Sequence, residues 1–126
     1  EARAWYEKNQ MPVIAYASLG RGFFSGRMKS EYADHASDYL DSFAMKGYAC
    51  SDNFERLRRC EIIAEKHGVT VAQIAMNWIF SHPLNIFAIA SMSKADRMKA
   101  NREALLLQLS DEEIAYLDLE TPEFCG

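Results

Sequence analysis

The stretch Pro12-Val13-Ile14-Ala15-Tyr16-Ala17-Ser18-Leu19-Gly20-Arg21-Gly22-Phe23-Phe24-Ser25-Gly26 decides how this chain is read. Residues 13–17 are apolar throughout and lack the alternation of a half-exposed strand. They predict a short parallel strand covered on both faces. Pro12 stops the helix suggested by residues 1–8, because its ring blocks a helical continuation. A glycine-rich loop follows the strand. In parallel α/β folds the carboxyl ends of strands form the binding face. Ser18, Gly20 and Gly22 are therefore expected to let backbone N–H groups approach an anion. The spacing Gly20-x-Gly22-x-x-x-Gly26 misses the dinucleotide fingerprint by one residue, and no Lys–Ser/Thr pair makes it a P-loop. An ordinary strand-to-loop turn is the competing reading.

A second apolar run, Ile86-Phe87-Ala88-Ile89-Ala90, passes into Ser91-Met92-Ser93-Lys94. Ser93 with Asp96 predicts a helix start, and the helix is expected to run to about Leu107 and bury Met98 and Leu105. Free N–H groups and the dipole at such a helix start favour phosphate. Arg97 and Asn101 share a face of that helix by their i, i+4 spacing. The two strand ends together read as a split site for a phosphorylated ligand.

Between the strands, Ser51 or Asp52 is expected to cap a helix burying Leu57, Cys60, Ile63 and Ala64, closed by Gly68. Thr70 and Gln73 form a capping box, with Val69 facing Ile74 as a hydrophobic staple and Val71, Ile74, Ala75 and Trp78 as the buried stripe. Ser110 with Glu113 and Leu109 with Ile114 repeat the pattern before a short closing helix. Residues 27–50 show no sustained period and are expected to form a long functional loop, a lid or a mobile segment. Strands alternating with helices mean a parallel sheet with right-handed crossovers. Two strands do not make a stable sheet, so the others are expected from an open doubly wound sheet or a (β/α)₈ barrel. The chain starts without Met and in mid-helix, which is expected of a piece of something longer.

The 126 residues are 49% hydrophobic and carry a formal charge of −4, a globular composition that argues against nucleic acid or anionic membrane as main partner. No apolar run approaches the ~20 residues that span a bilayer, and no signal-peptide pattern opens the chain. Cys50, Cys60 and Cys125 lack metal-ligand spacing and read as free thiols of a reducing cytoplasm. His35, His67 and His82 are scattered; His67 sits at a helix end, where it is expected to complement the dipole or cap the helix. His35 with Asp34 and Asp38 stays open as a site, against the plainer reading of a solvated acidic loop. No G-x-S-x-G elbow occurs. No catalytic residue and no metal ligand is assigned.

These stretches resemble a known family. MPVIAYASLGRGFFSG is similar to the seventh strand and following loop of an aldo-keto reductase. NFERLRRCEIIAEKHGVTVAQIAMNWIFSHP resembles the helix pair behind it, IFAIASMSKADRMKANREAL the eighth strand with its helix, and LSDEEIAYLD the closing helix. The resemblance covers residues 1–126 apart from 27–50. It implies an α/β fold, the C-terminal part of a (β/α)₈ TIM barrel, and an oxidoreductase that reduces small carbonyl compounds with NADPH. It implies that Tyr16 stacks on the nicotinamide and that Ala17, Leu19, Gly20 and Arg21 line the pyrophosphate. Ser91, Met92, Ser93, Arg97 and Asn101 would hold the adenosine and its 2′-phosphate. The sequence departs from the family pattern at Ser18 and at Ala90-Ser91, where proline and Pro-Gly are usual. The family's catalytic Asp, Tyr, Lys and His belong to earlier strands, which this chain does not contain. The expected partner is the rest of the barrel or a second copy. A non-catalytic assembly domain derived from the same fold is the alternative.

Overall fold

The computed structural model describes residues 2–90 and 94–122. Helix α1 (Ala2–Asn9) leads into strand β1 (Val13–Ala15), and a 3₁₀ turn (Gly20–Gly22) follows. A 3₁₀ segment (Ser30–Asp38) and α2 (Ser42–Tyr48) precede the long α3 (Ser51–His67) and α4 (Val71–Phe80). Strand β2 (Ile86–Ala88), α5 (Ala95–Ala104) and α6 (Asp111–Leu117) complete the chain. The strands pair in parallel, Val13 opposite Ile86, Ile14 opposite Phe87 and Ala15 opposite Ala88.

Each strand is two residues shorter than the apolar run that contains it. Ala17 turns to φ 53°, which ends β1. One further bond, Ile89 N to Ala15 O at 3.0 Å, carries the pairing just past the strands. Burial is one-sided. Ala15, Ile86 and Ala88 pack against Met76, Ile79 and Ala104. Ile14 and Phe87, side by side on the other face, are 64% and 58% exposed. Among the described residues helices lie on one face of the sheet only, and the other face is open, as two strands without further neighbours leave it.

Residues 27–50 are not a structureless loop. Asp41 caps α2 by accepting from Ala44 N at 2.7 Å. Met28, Ala36, Leu40 and Ala44 bury against α3, where Leu57 and Ile63 are fully covered. Glu61 of α3 accepts from both the N–H and the hydroxyl of Ser30. This segment covers α3 and leaves the open sheet face bare. Its residues gave no helical period because 3₁₀ turns bury single residues, not stripes.

The helix pair matches its expectation on α3 and departs from it on α4, where Trp78 is only half-buried and Gln73, Met76, Asn77 and Ile79 are buried beside Val71, Ile74 and Ala75. Leu57, Cys60, Ile63 and Ala64 are buried, and Gly68 ends α3 at φ 65°. The N-cap of α3 is Cys50, with no side-chain capping bond, where Ser51 or Asp52 was expected. Both capping boxes, Thr70–Gln73 and Ser110–Glu113, are complete. The fifth helix differs. It stops at Ala104, its N-cap is Lys94, and Met98 and Leu105 are 61% and 57% exposed. Polar side chains of α4 set this orientation. Gln73 donates to Ala100 O at 3.1 Å, and Asn77 donates to Ala104 O at 2.8 Å and Leu107 O at 2.6 Å. Those bonds turn the alanine face of α5 inward.

Arg59 ties the C-terminal end to α3. Its guanidinium meets Glu55 at 2.7 Å, donates to Tyr116 O and Thr121 O at 2.7 and 2.6 Å, and lies 4.3 Å from the Tyr116 ring centroid.

Candidate functional site

The carboxyl ends of the two parallel strands lie side by side, and Ser18 joins them. Its hydroxyl is placed to donate to Ala15 O at 3.1 Å and Ile89 O at 3.2 Å. A proline there could make neither bond. Tyr16, just before this junction, is 79% exposed, so its ring is open to a stacking partner.

The loop departs from the expected anion cradle. Gly20 N–H is spent on Ala17 O at 2.7 Å and Gly22 N–H on Leu19 O at 3.2 Å. Gly20 is buried, at φ +58°, and a Cβ there would sit 3.2 Å from Phe23 Cβ and 3.3 Å from the Tyr48 ring. The glycines serve a tight turn, so the expectation that their N–H groups face an anion is corrected. In the turn after β1 the N–H groups of Ser18 and Leu19 have no backbone partner among the described residues.

The Arg21 guanidinium bonds Asp41 at 2.9 Å and lies 5.3 Å from the Phe43 ring centroid. The hydrogen bond to Asp41 raises the pKa of Arg21, and the same bond lowers that of Asp41. The guanidinium of Arg21 is thus turned towards Asp41 and Phe43.

Ser91, Met92 and Ser93 lie outside the described residues. Arg97 is exposed in the first turns of α5, and Asn101 is half-buried one turn further on. Tyr16, Ala17 and Leu19 thus stand at the end of β1, while Arg97 and Asn101 stand on the helix that follows β2. An exposed ring, two free N–H groups and an exposed guanidinium fit an extended, anionic dinucleotide.

Two of the histidines are engaged elsewhere. His67 stands in the last turn of α3, and its Nε2 also lies 2.7 Å from Glu113 Oε1, a bond across to α6. His82 Nδ1 accepts from Arg3 at 2.6 Å. His35, Asp34 and Asp38 are exposed, as a solvated acidic segment would be. No group of three His, Cys, Asp or Glu residues among the described residues could hold a metal ion. No helix among them is long and apolar enough to cross a membrane.

A cavity of about 360 Å³ opens behind the loop, lined by residues 15–18, Gly20 and Phe24 on one side and by α3, α4 and Leu117 on the other. Sequence reading missed its α3 wall. Asn53, Arg56 and Cys60 fall at i, i+3 and i+7, beside the recognised apolar stripe, and that spacing was the available signal.

Known proteins resemble this chain in sequence. The chain is 27% identical over 107 residues to "Aldo-keto reductase str7" of Strobilurus tenacellus, covering 82% of this chain and 31% of that protein. It is 28% identical to "Probable aldo-keto reductase 1" of Glycine max, covering 81% and 30%. It is 27% identical to "Aldo-keto reductase yakc [NADP(+)]" of Schizosaccharomyces pombe, covering 82% and 31%. The chain thus spans about a third of the length of the curated relatives it matches. With residues 1–119 matching the family described as Aldo/keto reductase family, the chain belongs to that family, whose (β/α)₈ barrel its two parallel strands and flanking helices build in part.

Proposed function

We propose that this chain is the NADPH-binding C-terminal portion of an oxidoreductase that reduces small carbonyl compounds. Family membership supports the reaction class, and the relative named for NADP(+) supports the choice of cofactor. The observation that carries the reading is the Ser18 junction, which sets the exposed ring of Tyr16 and the free N–H groups beside it at the shared end of both strands.

When bound, the nicotinamide cofactor supplies the hydride for carbonyl reduction. Tyr16 offers an aromatic face that stacks on a planar ring and holds its orientation. Ser18 and Leu19 donate backbone N–H groups to pyrophosphate oxygens, with Ala17, Gly20 and Arg21 shaping the turn. Arg97, with Asn101 and residues 91–93, receives the adenosine end, where a guanidinium suits the 2′-phosphate. No residue of this chain is assigned a proton-transfer role, so turnover requires the catalytic groups of the remaining barrel.

The test is cofactor binding. In the protein that carries this chain, Arg97→Ala is expected to weaken NADPH by about 1.5–3 kcal/mol, the range for hydrogen bonds to charged groups, and NADH hardly at all. Dissociation constants from fluorescence quenching read this directly. Equal losses for the two cofactors would remove Arg97 from the 2′-phosphate site.

A further inference from the structure

The cavity behind the β1 loop shares Tyr16, Ala17, Ser18 and Gly20 with the cofactor reading, which does not use its α3 and α4 walls. Its walls are mostly apolar and carry the rings of Tyr16, Phe24, Tyr48 and Trp78. Its volume, about 360 Å³, is in the range of small-molecule sites. Most of its polar side chains are already spent. Ser18 bonds the two strand ends, Asn53 Nδ2 donates to Tyr48 O at 2.9 Å, and Trp78 Nε1 donates to Asp118 at 2.8 Å.

Arg56 is the exception. It is half-buried, and its one bond among the described residues is to Asn53 Oδ1 at 3.0 Å. The nearby carboxylate, Glu55, is taken by Arg58 and Arg59, each at 2.7 Å. A guanidinium has five N–H donors, so most of those of Arg56 are unmatched. A partly desolvated cation without a carboxylate, set in a wall of aromatic rings, is suited to one kind of guest.

We infer that this cavity binds a small aromatic carboxylate, its ring among Tyr48, Phe24 and Trp78 and its carboxylate on Arg56. A monoanion with a flat apolar body matches one planar, bidentate donor and an apolar lining. A phosphate dianion does not, because no second cation among the described residues lines the cavity to share its charge.

Titration calorimetry with 2-naphthoate, and with the neutral 2-naphthamide of the same shape, tests this. Saturable one-site binding of naphthoate is expected, tighter than the amide by about tenfold to a hundredfold. Arg56→Gln should erase that preference, still bind the amide, and so report an intact cavity; Arg56→Lys should retain part of the preference. The inference fails if neither compound saturates a folded protein, if acid and amide bind equally, or if Arg56→Gln leaves the preference unchanged. Displacement of naphthoate by NADPH would also overturn it, by assigning the cavity to the dinucleotide. Naphthoate binding by a protein that binds no NADPH would leave this inference standing and remove the proposed function.

Discussion

At the scale of single residues, burial decides which groups react. Cys60 is buried in the core, and desolvation first, then Glu61, pushes its thiol up to about 12. Cys50 is exposed at the start of α3. Since the thiolate is the nucleophile, Cys50 should be alkylated in the native protein and Cys60 only after unfolding, as peptide mapping after iodoacetamide would show. Rapid native labelling of Cys60 would contradict its placement. His82 gives a second test. Burial first, then Arg3, holds its imidazole below the ordinary 6.5, while Asp118 and Glu120 pull the other way and are outweighed. Arg3 can donate only to a neutral ring. The stability this contact contributes is therefore present above pH 6.5 and lost as pH falls through the depressed value. Proton NMR titration of His82 should show that value, and Arg3→Met should move it upward. An unchanged titration would mean that α1 is not docked through this bond.

At the scale of elements, α6 is held by Glu113. Burial pushes its carboxyl up, but the Ser110 N–H and the side chains of His67 and Lys66 outweigh this and leave it below its ordinary 4.5. A carboxylate with a depressed pKa stabilises the fold above its unfolded pKa, and that contribution drains away as pH falls through the folded value. Glu113→Gln should therefore destabilise the protein at pH 7 and flatten the loss of stability below pH ~4.5. Ser110→Ala should cost about 1 kcal/mol, the usual loss of an N-cap. Urea midpoints measured from pH 3 to 7 give both results. An acid limb as steep in Glu113→Gln as in the parent would sink the assignment.

At the scale of the whole molecule, the open sheet face governs behaviour. Ile14 and Phe87 are exposed side by side on the paired strands, and Tyr16 and Ile89 are exposed just past their ends. A contiguous apolar face with strand edges on both sides favours association. The 126-residue chain on its own is expected to self-associate, with a scattering mass that rises over a micromolar concentration series and a concentration-dependent thermal transition. Ile14→Lys with Phe87→Glu should reduce this without unfolding the helices. A concentration-independent monomer with a cooperative transition would contradict it.

What the sequence determined by itself is local. The two strands, the capping boxes at Thr70 and Ser110, the Gly68 terminus and the α3 stripe all follow from side chains acting on their own backbone or from a regular period. Such signals are complete within a few residues. Tertiary structure decided what depends on partners far apart in the chain. Met98 and Leu105 face solvent because Gln73 and Asn77, some 27 residues earlier, take the carbonyls of Ala100 and Ala104. Arg21 turns to Asp41, and Ser18 reaches Ile89 O, through contacts of 20 and 71 residues in separation. Residues 27–50 fold against α3 with no period of their own. The family could be read from the chain because its local signals recur in order. The direction of each site side chain could not, because hydrogen bonds are formed with whatever the fold brings near, and sequence order does not list those neighbours.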